Sequence, residues 1–201
     1  MSVDLLKILN GVAPVPLEVQ SHIADILQYK TLRKKEYILK PGQINDIMVF
    51  IQRGLMRAYY IKDGVEIGSW FRAEGEFIVS ISSFYKVKPS VEYIQALEPT
   101  EILYITRKQL YDIYHKYKDF CLNALMLTID VLVQWDERVR VLNNTSAEER
   151  FKWLVENRGD LLQRVPDKYI AAFLGIRPET FSKAKTEWFR AWQYKEDVAA
   201  T

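Results

Sequence analysis

The sequence predicts an α+β chain: an N-terminal antiparallel β jelly roll, then one long helix, then a helix-turn-helix. Three observations predict it. Between Thr31 and Thr106, many short β-prone runs alternate with turn signals, the pattern of a sandwich or jelly roll. From about Lys118 to Asn143 neither Pro nor Gly interrupts a helical apolar repeat. Residues 167–186, DKYIAAFLGIRPETFSKAKT, then carry two helical patterns around a single glycine.

That last stretch organises the chain. Ile170, Ala171 and Leu174 sit at helical spacing, and Ala171 is small enough for a second helix to cross closely. Gly175 suits the left-handed conformation of a sharp turn between helices. Pro178 fits the first turn of a helix, where a missing N–H costs nothing. Ile170, Leu174, Ile176, Phe181 and Ala184 fall on the faces that close together. The second helix leaves Glu179, Thr180, Ser182, Lys183 and Thr186 outward, a helix of the kind that lies in a DNA major groove. An ordinary helical hairpin in a core is the plainer reading, but apolar spacing, glycine and proline agree here. The segment 177–190 sets Arg177, Lys183, Lys185 and Arg190 against Glu179 and Glu187, so it is locally basic.

The remaining elements are taken in order. Residues 4–10 and 16–29 read as helices, the second started by Pro16 with Ile23, Ile26 and Leu27 as its apolar stripe. His22 and His115 are isolated and read as structural, since a metal site needs several ligands. KTLRKKEYILKPGQ stops at Pro41-Gly42, and IMVFIQRG ends at Gly54. LMRAYYIK and VEIGSWF are joined by Asp63-Gly64, a strong hairpin signal because both turn positions need positive φ. VEYIQAL and EILYIT follow, separated by Glu98-Pro99-Thr100.

Residues 72–93 break this rhythm. Ser80, Ser82, Ser83 and Ser90 with Lys86 and Lys88 form a candidate effector pocket able to receive an anion. Turn serines and solvated lysines are the simpler reading of those residues.

In the long helix, Leu122, Leu125, Ile129, Leu132 and Val139 recur in three- and four-residue steps, a coiled-coil-like stripe interrupted by Asp136. It predicts a homodimer seam, because helix-turn-helix proteins present two readers about a two-fold axis. Ser146-Ala-Glu-Glu149 is a capping box opening the next helix, in which Phe151, Leu154 and Val155 face inward.

Composition sets the outer bounds. The 201 residues allow a real core, and the net charge of +2 neither requires nor excludes a nucleic-acid partner. With one cysteine, Cys121, an intramolecular disulfide, a CxxC site and a cysteine-bound cluster are excluded, and a reducing cytoplasm is expected. The start, MSVDLLKILNG, lacks a long apolar h-region, and no stretch reaches membrane-spanning length without charge. No paired carboxylates, Ser-His-Asp order or His cluster suggests an enzyme.

Several stretches together resemble the Crp/Fnr family of transcription regulators across nearly the whole chain. LKPGQINDIMVFIQRGLMRAYYIKDG is similar to the family's first barrel strands. ALEPTEILYITRKQL is similar to its last strand and hinge helix, and SAEERFKWLVENRGDLLQRVPDKYIAAFLGIRPETFSKAK to its DNA-binding domain. The resemblance implies a cyclic-nucleotide-binding-like sensor domain over 1–117, a dimerisation helix over 118–144 and a winged helix-turn-helix over 145–201. It implies double-stranded promoter DNA and RNA polymerase as partners, with no membrane. Movement in the barrel would tilt the long helices and reposition the readers.

Departures from the family pattern narrow this. Where members that bind cyclic AMP carry a Gly-Glu pair and an Arg-Ser or Arg-Thr pair, this chain has Ser80 and Pro89-Ser90. A buried phosphate without a guanidinium partner is poorly held, so no tight cyclic AMP binding is expected. No cofactor is expected, and the effector is open. Arg177 opens the reading helix where Ser or Thr is common, and Pro178 stands where a base-reading residue often does. Glu179 matches the acidic reader and Lys183 replaces an Arg. The expected interface is Glu179, Ser182 and Lys183 on bases, Arg177, Thr180, Lys185 and Lys168 on phosphates or fixing register, and Pro178 at the helix start. After Trp188 the tail FRAWQYKEDVAAT allows at most a stunted wing. A ligand-binding or scaffold dimer whose helix-turn-helix no longer reads DNA is the alternative.

Overall fold

A computed structural model describes the backbone of residues 3–199 and the side chains of residues 5–193. Helices α1 (Val3–Val12) and α2 (Leu17–Ile26) lead into strands β1 (Gln28–Leu32), β2 (Tyr37–Leu39), β3 (Ile47–Arg53), β4 (Met56–Lys62), β5 (Val65–Arg72) and β6 (Phe77–Ile78). Helix α3 (Ile81–Lys86) precedes β7 (Tyr93–Ala96) and β8 (Thr100–Thr106). The rest is helical: α4 (Arg107–Lys116), α5 (Phe120–Asn144), α6 (Ala147–Arg158), α7 (Leu161–Arg164), α8 (Asp167–Leu174) and α9 (Pro178–Ala199). Contacts divide the chain into two units. One holds residues 1–61 and 69–132; the other holds the hairpin tip 62–68 with 133–201, so α5 contributes to both.

In the first unit the strands form two four-stranded sheets, ordered β1-β8-β3-β6 and β2-β7-β4-β5, the jelly-roll layout. Alternation along the strands builds the layers. Val49 and Ile51 of β3 point to the interior with Ile102 of β8, Met56 and Ala58 of β4 and Ile94 of β7. Phe50 and Leu103, register partners across β3 and β8, point the other way. They receive Leu5, Leu9, Val19 and Ile23 of the two leading helices, with Ile113 and Phe120. Asn123 of α5 is buried and donates to the carbonyls of Leu9 and Ala13 at 3.1 and 2.7 Å, fixing one face of α5 against α1. Gly54 shows why the turn after β3 is glycine: φ is +104°, and a Cβ would lie 2.8 Å from the Pro99 carbonyl oxygen.

Residues 72–93 are more regular than their sequence suggests, forming β6, α3 and the start of β7. At Asp63 and Gly64 φ is +52° and +78°, the positive pair that the hairpin signal requires.

In the second unit Phe151, Leu154, Leu161, Ile170, Ala171, Phe173, Leu174, Phe181 and Ala184 are buried. Val155 is only half-buried, against the expectation that it faces inward. The tail also differs from expectation. Helix α9 continues through Ala199, so among the described residues no strand follows the helix-turn-helix and no wing is formed. The reason is local: residues 187–199 contain neither Gly nor Pro, and nothing halts the helix begun at Pro178.

Helix α6 opens with the expected capping box. The Ser146 N–H donates to the Glu149 carboxylate at 2.7 Å, and the Glu149 N–H donates to the Ser146 hydroxyl at 3.3 Å. The backbone bond from Ser146, then its side chain, holds the Glu149 carboxyl below its ordinary value. A carboxyl depressed on folding contributes stability above its unfolded value and loses it as pH falls through the lowered one. Carboxyl NMR titration of Glu149 is therefore expected to run below an unstructured glutamate, and to rise only part of the way back in Ser146→Ala, which removes the hydroxyl but keeps the backbone N–H.

Candidate nucleic-acid interface and barrel site

The α8–α9 pair is built from its buried side chains outward. Ile170, Ala171 and Leu174 of α8 pack under Phe181 and Ala184 of α9, and Phe181 meets Phe151 of α6 at a ring separation of 5.4 Å. Gly175 ends α8 at φ +63°, ψ +34°, the left-handed turn. Its N–H and that of Ile176 both return to the Ala171 carbonyl, which sets the angle at which α9 leaves.

Arg150, which no sequence signal marked, holds this turn from α6. It donates to the carbonyls of Leu174 and Gly175 at 3.0 and 3.4 Å, of Leu142 at 2.7 Å and of Thr145 at 3.2 Å. The last carbonyls of a helix have no partner within it, and a planar guanidinium supplies several donors at once.

The first turns of α9 present Arg177, Pro178, Glu179, Thr180, Ser182, Lys183 and Thr186 to solvent. Glu179 also lies where a helix N-terminus favours negative charge. Lys183 pairs with Glu187 at 3.8 Å, with its side chain 74% exposed, a contact of little worth that DNA can displace. Lys185 is placed differently. It is half-buried and bound to both Asp167 oxygens at 2.9 and 3.0 Å, tying α9 to the first turn of α8. A phosphate would compete with Asp167 for it. Lys168, exposed, lies 4.8 Å from the Tyr169 ring centroid.

On α5, Leu122, Leu125, Ile129, Leu132 and Val139 are all exposed, as are Met126, Val133 and Trp135. An exposed apolar patch of this kind is what a partner surface would cover.

The barrel cluster divides in two. Ser80, Ser83 and Ser90 are buried together, whereas Ser82, Lys86 and Lys88 are exposed outside the cluster. Ser83 accepts from the Asn45 N–H at 2.9 Å and donates to the Lys88 carbonyl at 2.7 Å. Ser80 leads α3 but does not cap it, because its hydroxyl donates to the Glu92 carboxylate at 2.7 Å. Ser90 accepts from the Glu92 N–H at 2.9 Å and lies 3.2 Å from the Ser80 hydroxyl. Asn45 was not legible as a member of this cluster, since it reaches Ser83 and Ser80 across 38 and 35 residues; Glu92 lies two residues from Ser90, but its bond to Ser80 spans twelve. A carboxylate inside the ring works against an incoming anion.

Among the described residues no group of His, Cys, Asp or Glu is placed to hold a metal, and no helix is long and apolar enough to cross a membrane. His22 lies edge-on to Tyr117 at 5.6 Å, with its buried Nδ1 unpaired.

Residues 29–117 match the cyclic nucleotide-binding domain family. No curated protein matches the chain in sequence. Solved structures do match. FixK2 from Bradyrhizobium japonicum is 19% identical with a TM-score of 0.71, covering 83% of this chain and 86% of its own. A CooA mutant from Carboxydothermus hydrogenoformans is 20% identical with a TM-score of 0.69, covering 95% and 86%. The catabolite activator protein of Thermus thermophilus is 17% identical with a TM-score of 0.56, covering 92% and 87%. At these identities the likeness establishes a shared fold.

Proposed function

From a chain with the Crp/Fnr fold and a cyclic nucleotide-binding domain at residues 29–117, we propose a dimeric, sequence-specific DNA-binding transcription regulator. The observation that carries this reading is the α8–α9 pair: a left-handed Gly175 turn, a buried closing face and an exposed reading face on the first turns of α9. Glu179 accepts from a cytosine amino group, Lys183 donates to guanine and Ser182 serves either. Arg177, Thr180 and Lys168 take phosphates. Lys185 fixes register by holding α8 and α9 together through Asp167. Residues 118–144 form the dimer helix, which places two readers one DNA turn apart.

The barrel is the sensor, and cyclic AMP is not its tight ligand. Ser80 bonds Glu92 where a ribose-binding carboxylate would be needed, and Pro89-Ser90 stand where the phosphate-binding Arg pair would be. The exposed lysines of the candidate pocket, Lys86 and Lys88, do not supply that charge to it.

The test is retardation of promoter fragments from the source genome over a salt series. Wild type is expected to select particular fragments. Lys183→Ala and Glu179→Ala are each expected to lose about 1–3 kcal/mol of selectivity, roughly 5- to 150-fold, at one base position. If both variants retard the same fragments as wild type, the base-contact assignment is wrong. If an intact dimer retards nothing at low salt, the scaffold reading takes its place.

A further inference from the structure

We propose that the tip of the β4–β5 hairpin is a working part of the DNA-reading unit, with Arg138 and Gly68 as positioning residues that latch it to the C-terminal end of α8. The role in DNA reading rests on the function proposed above; the latch itself does not.

Residues 62–68 group with 133–201 and not with the remainder of their own strands. Arg138 of α5 is buried, with 6% of its surface exposed. Its Nη2 donates to the Gly68 carbonyl at 2.7 Å and to the Phe173 carbonyl at 2.9 Å, and its guanidinium lies 3.8 Å from the Phe173 ring centroid. One cation therefore joins two separate backbones, the hairpin and the last turn of α8. A buried guanidinium is held in place only where such acceptors surround it, and a helix C-terminus favours a cation.

Gly68 gives independent support. Its φ is not positive, so its conformation does not call for glycine. Its surroundings do: a Cβ would lie 2.9 Å from the Phe173 Cα and 3.0 Å from the Phe173 nitrogen. Glycine here permits close approach of two main chains. Phe173 stands two residues before the Gly175 turn and five before α9 begins at Pro178. Displacing the hairpin tip would therefore press on the segment that sets the reading helix. Arg150 holds the same turn from α6, so the turn is fixed by two arginines, only one of which also grips the hairpin.

The test compares full-length wild type, Gly68→Ala, Arg138→Lys and the control Arg140→Gln, whose exposed side chain pairs with Asp136 at 3.3 Å. Hydrogen exchange is read separately over 62–68 and 169–176, and affinity is read on a selected promoter fragment and on a scrambled duplex. Gly68→Ala is expected to raise exchange in both segments by about tenfold, and Arg138→Lys to do so more weakly. Affinity for the selected fragment is expected to fall about tenfold while low-salt binding to the scrambled duplex holds, since phosphate contacts survive a misplaced reader. Arg140→Gln is expected to change neither. A rise confined to 62–68 overturns the latch. An unchanged ratio of selected to scrambled binding overturns its role in reading. Should Gly68→Ala fail to fold, Arg138→Lys decides both points. If wild type retards no DNA, the exchange result still decides the latch, and only the DNA reading has failed.

Discussion

Leu132→Glu is expected to sediment as a monomer at micromolar concentration and to lose about a hundredfold or more of its affinity for a two-site promoter fragment. Leu132 is 62% exposed, in the middle of a row with Leu122, Leu125, Ile129 and Val139. In a parallel pair of helices about a two-fold axis, each copy of this position faces its equivalent. Two carboxylates meeting there repel and also lose water without gaining a partner. The fold of the single chain should survive, because the opposite face of α5 is held by Asn123 on the Leu9 and Ala13 carbonyls. Sedimentation velocity with circular dichroism on the same sample checks both points. A dimer of unchanged strength would move the seam off this row.

Phe181→Ala has the second large effect. Phe181 is fully buried on Phe151, which in turn meets Trp188 at 6.3 Å. Removing a buried phenylalanine ring costs about 3–5 kcal/mol, a large part of what a unit of this size holds in reserve. The helical unit is expected to unfold well before the barrel. Tryptophan fluorescence separates the two, because Trp135, Trp153, Trp188 and Trp192 lie in the helical unit and Trp70 in the barrel. In wild type the fluorescence and strand-sensitive transitions are expected to lie closer together than in the variant. A variant in which the fluorescence transition does not move would mean that the Phe151–Phe181 contact is not what secures α9.

Much of the architecture is legible in the chain because it depends on neighbours in sequence. Asp63-Gly64 specifies its turn by backbone sterics alone, and both residues take positive φ. The Ser146–Glu149 box needs only one helical turn, and it forms. Gly175 ends α8 as its lack of a side chain allows. The comparison with solved structures agrees with the jelly roll, long helix and following helices. The tail departs from the winged form that the family resemblance implies, because its own residues contain nothing that stops a helix.

The candidate sites were legible only in part. The exposed face of α9 follows from helical spacing, so Arg177, Glu179, Ser182 and Lys183 could be placed from sequence. Where Lys185 points could not, because Asp167, the acid it binds, lies eighteen residues away on another helix. Ser80, Ser83 and Ser90 could be grouped, but not the Asn45 and Glu92 that occupy their hydroxyls.

By itself the sequence determined what neighbouring residues settle between them: the Asp63-Gly64 turn, the Ser146–Glu149 box, the Gly175 turn and the buried face of α8 and α9. Tertiary structure alone decided which long side chains meet distant backbone, as Arg138 does at Gly68 and Phe173 and Arg150 does at Leu174. The reason is geometric. A turn or cap is chosen by local sterics and adjacent hydrogen bonds, whereas a guanidinium can reach any unpaired carbonyl that folding brings near it, and nothing in its sequence neighbours says which.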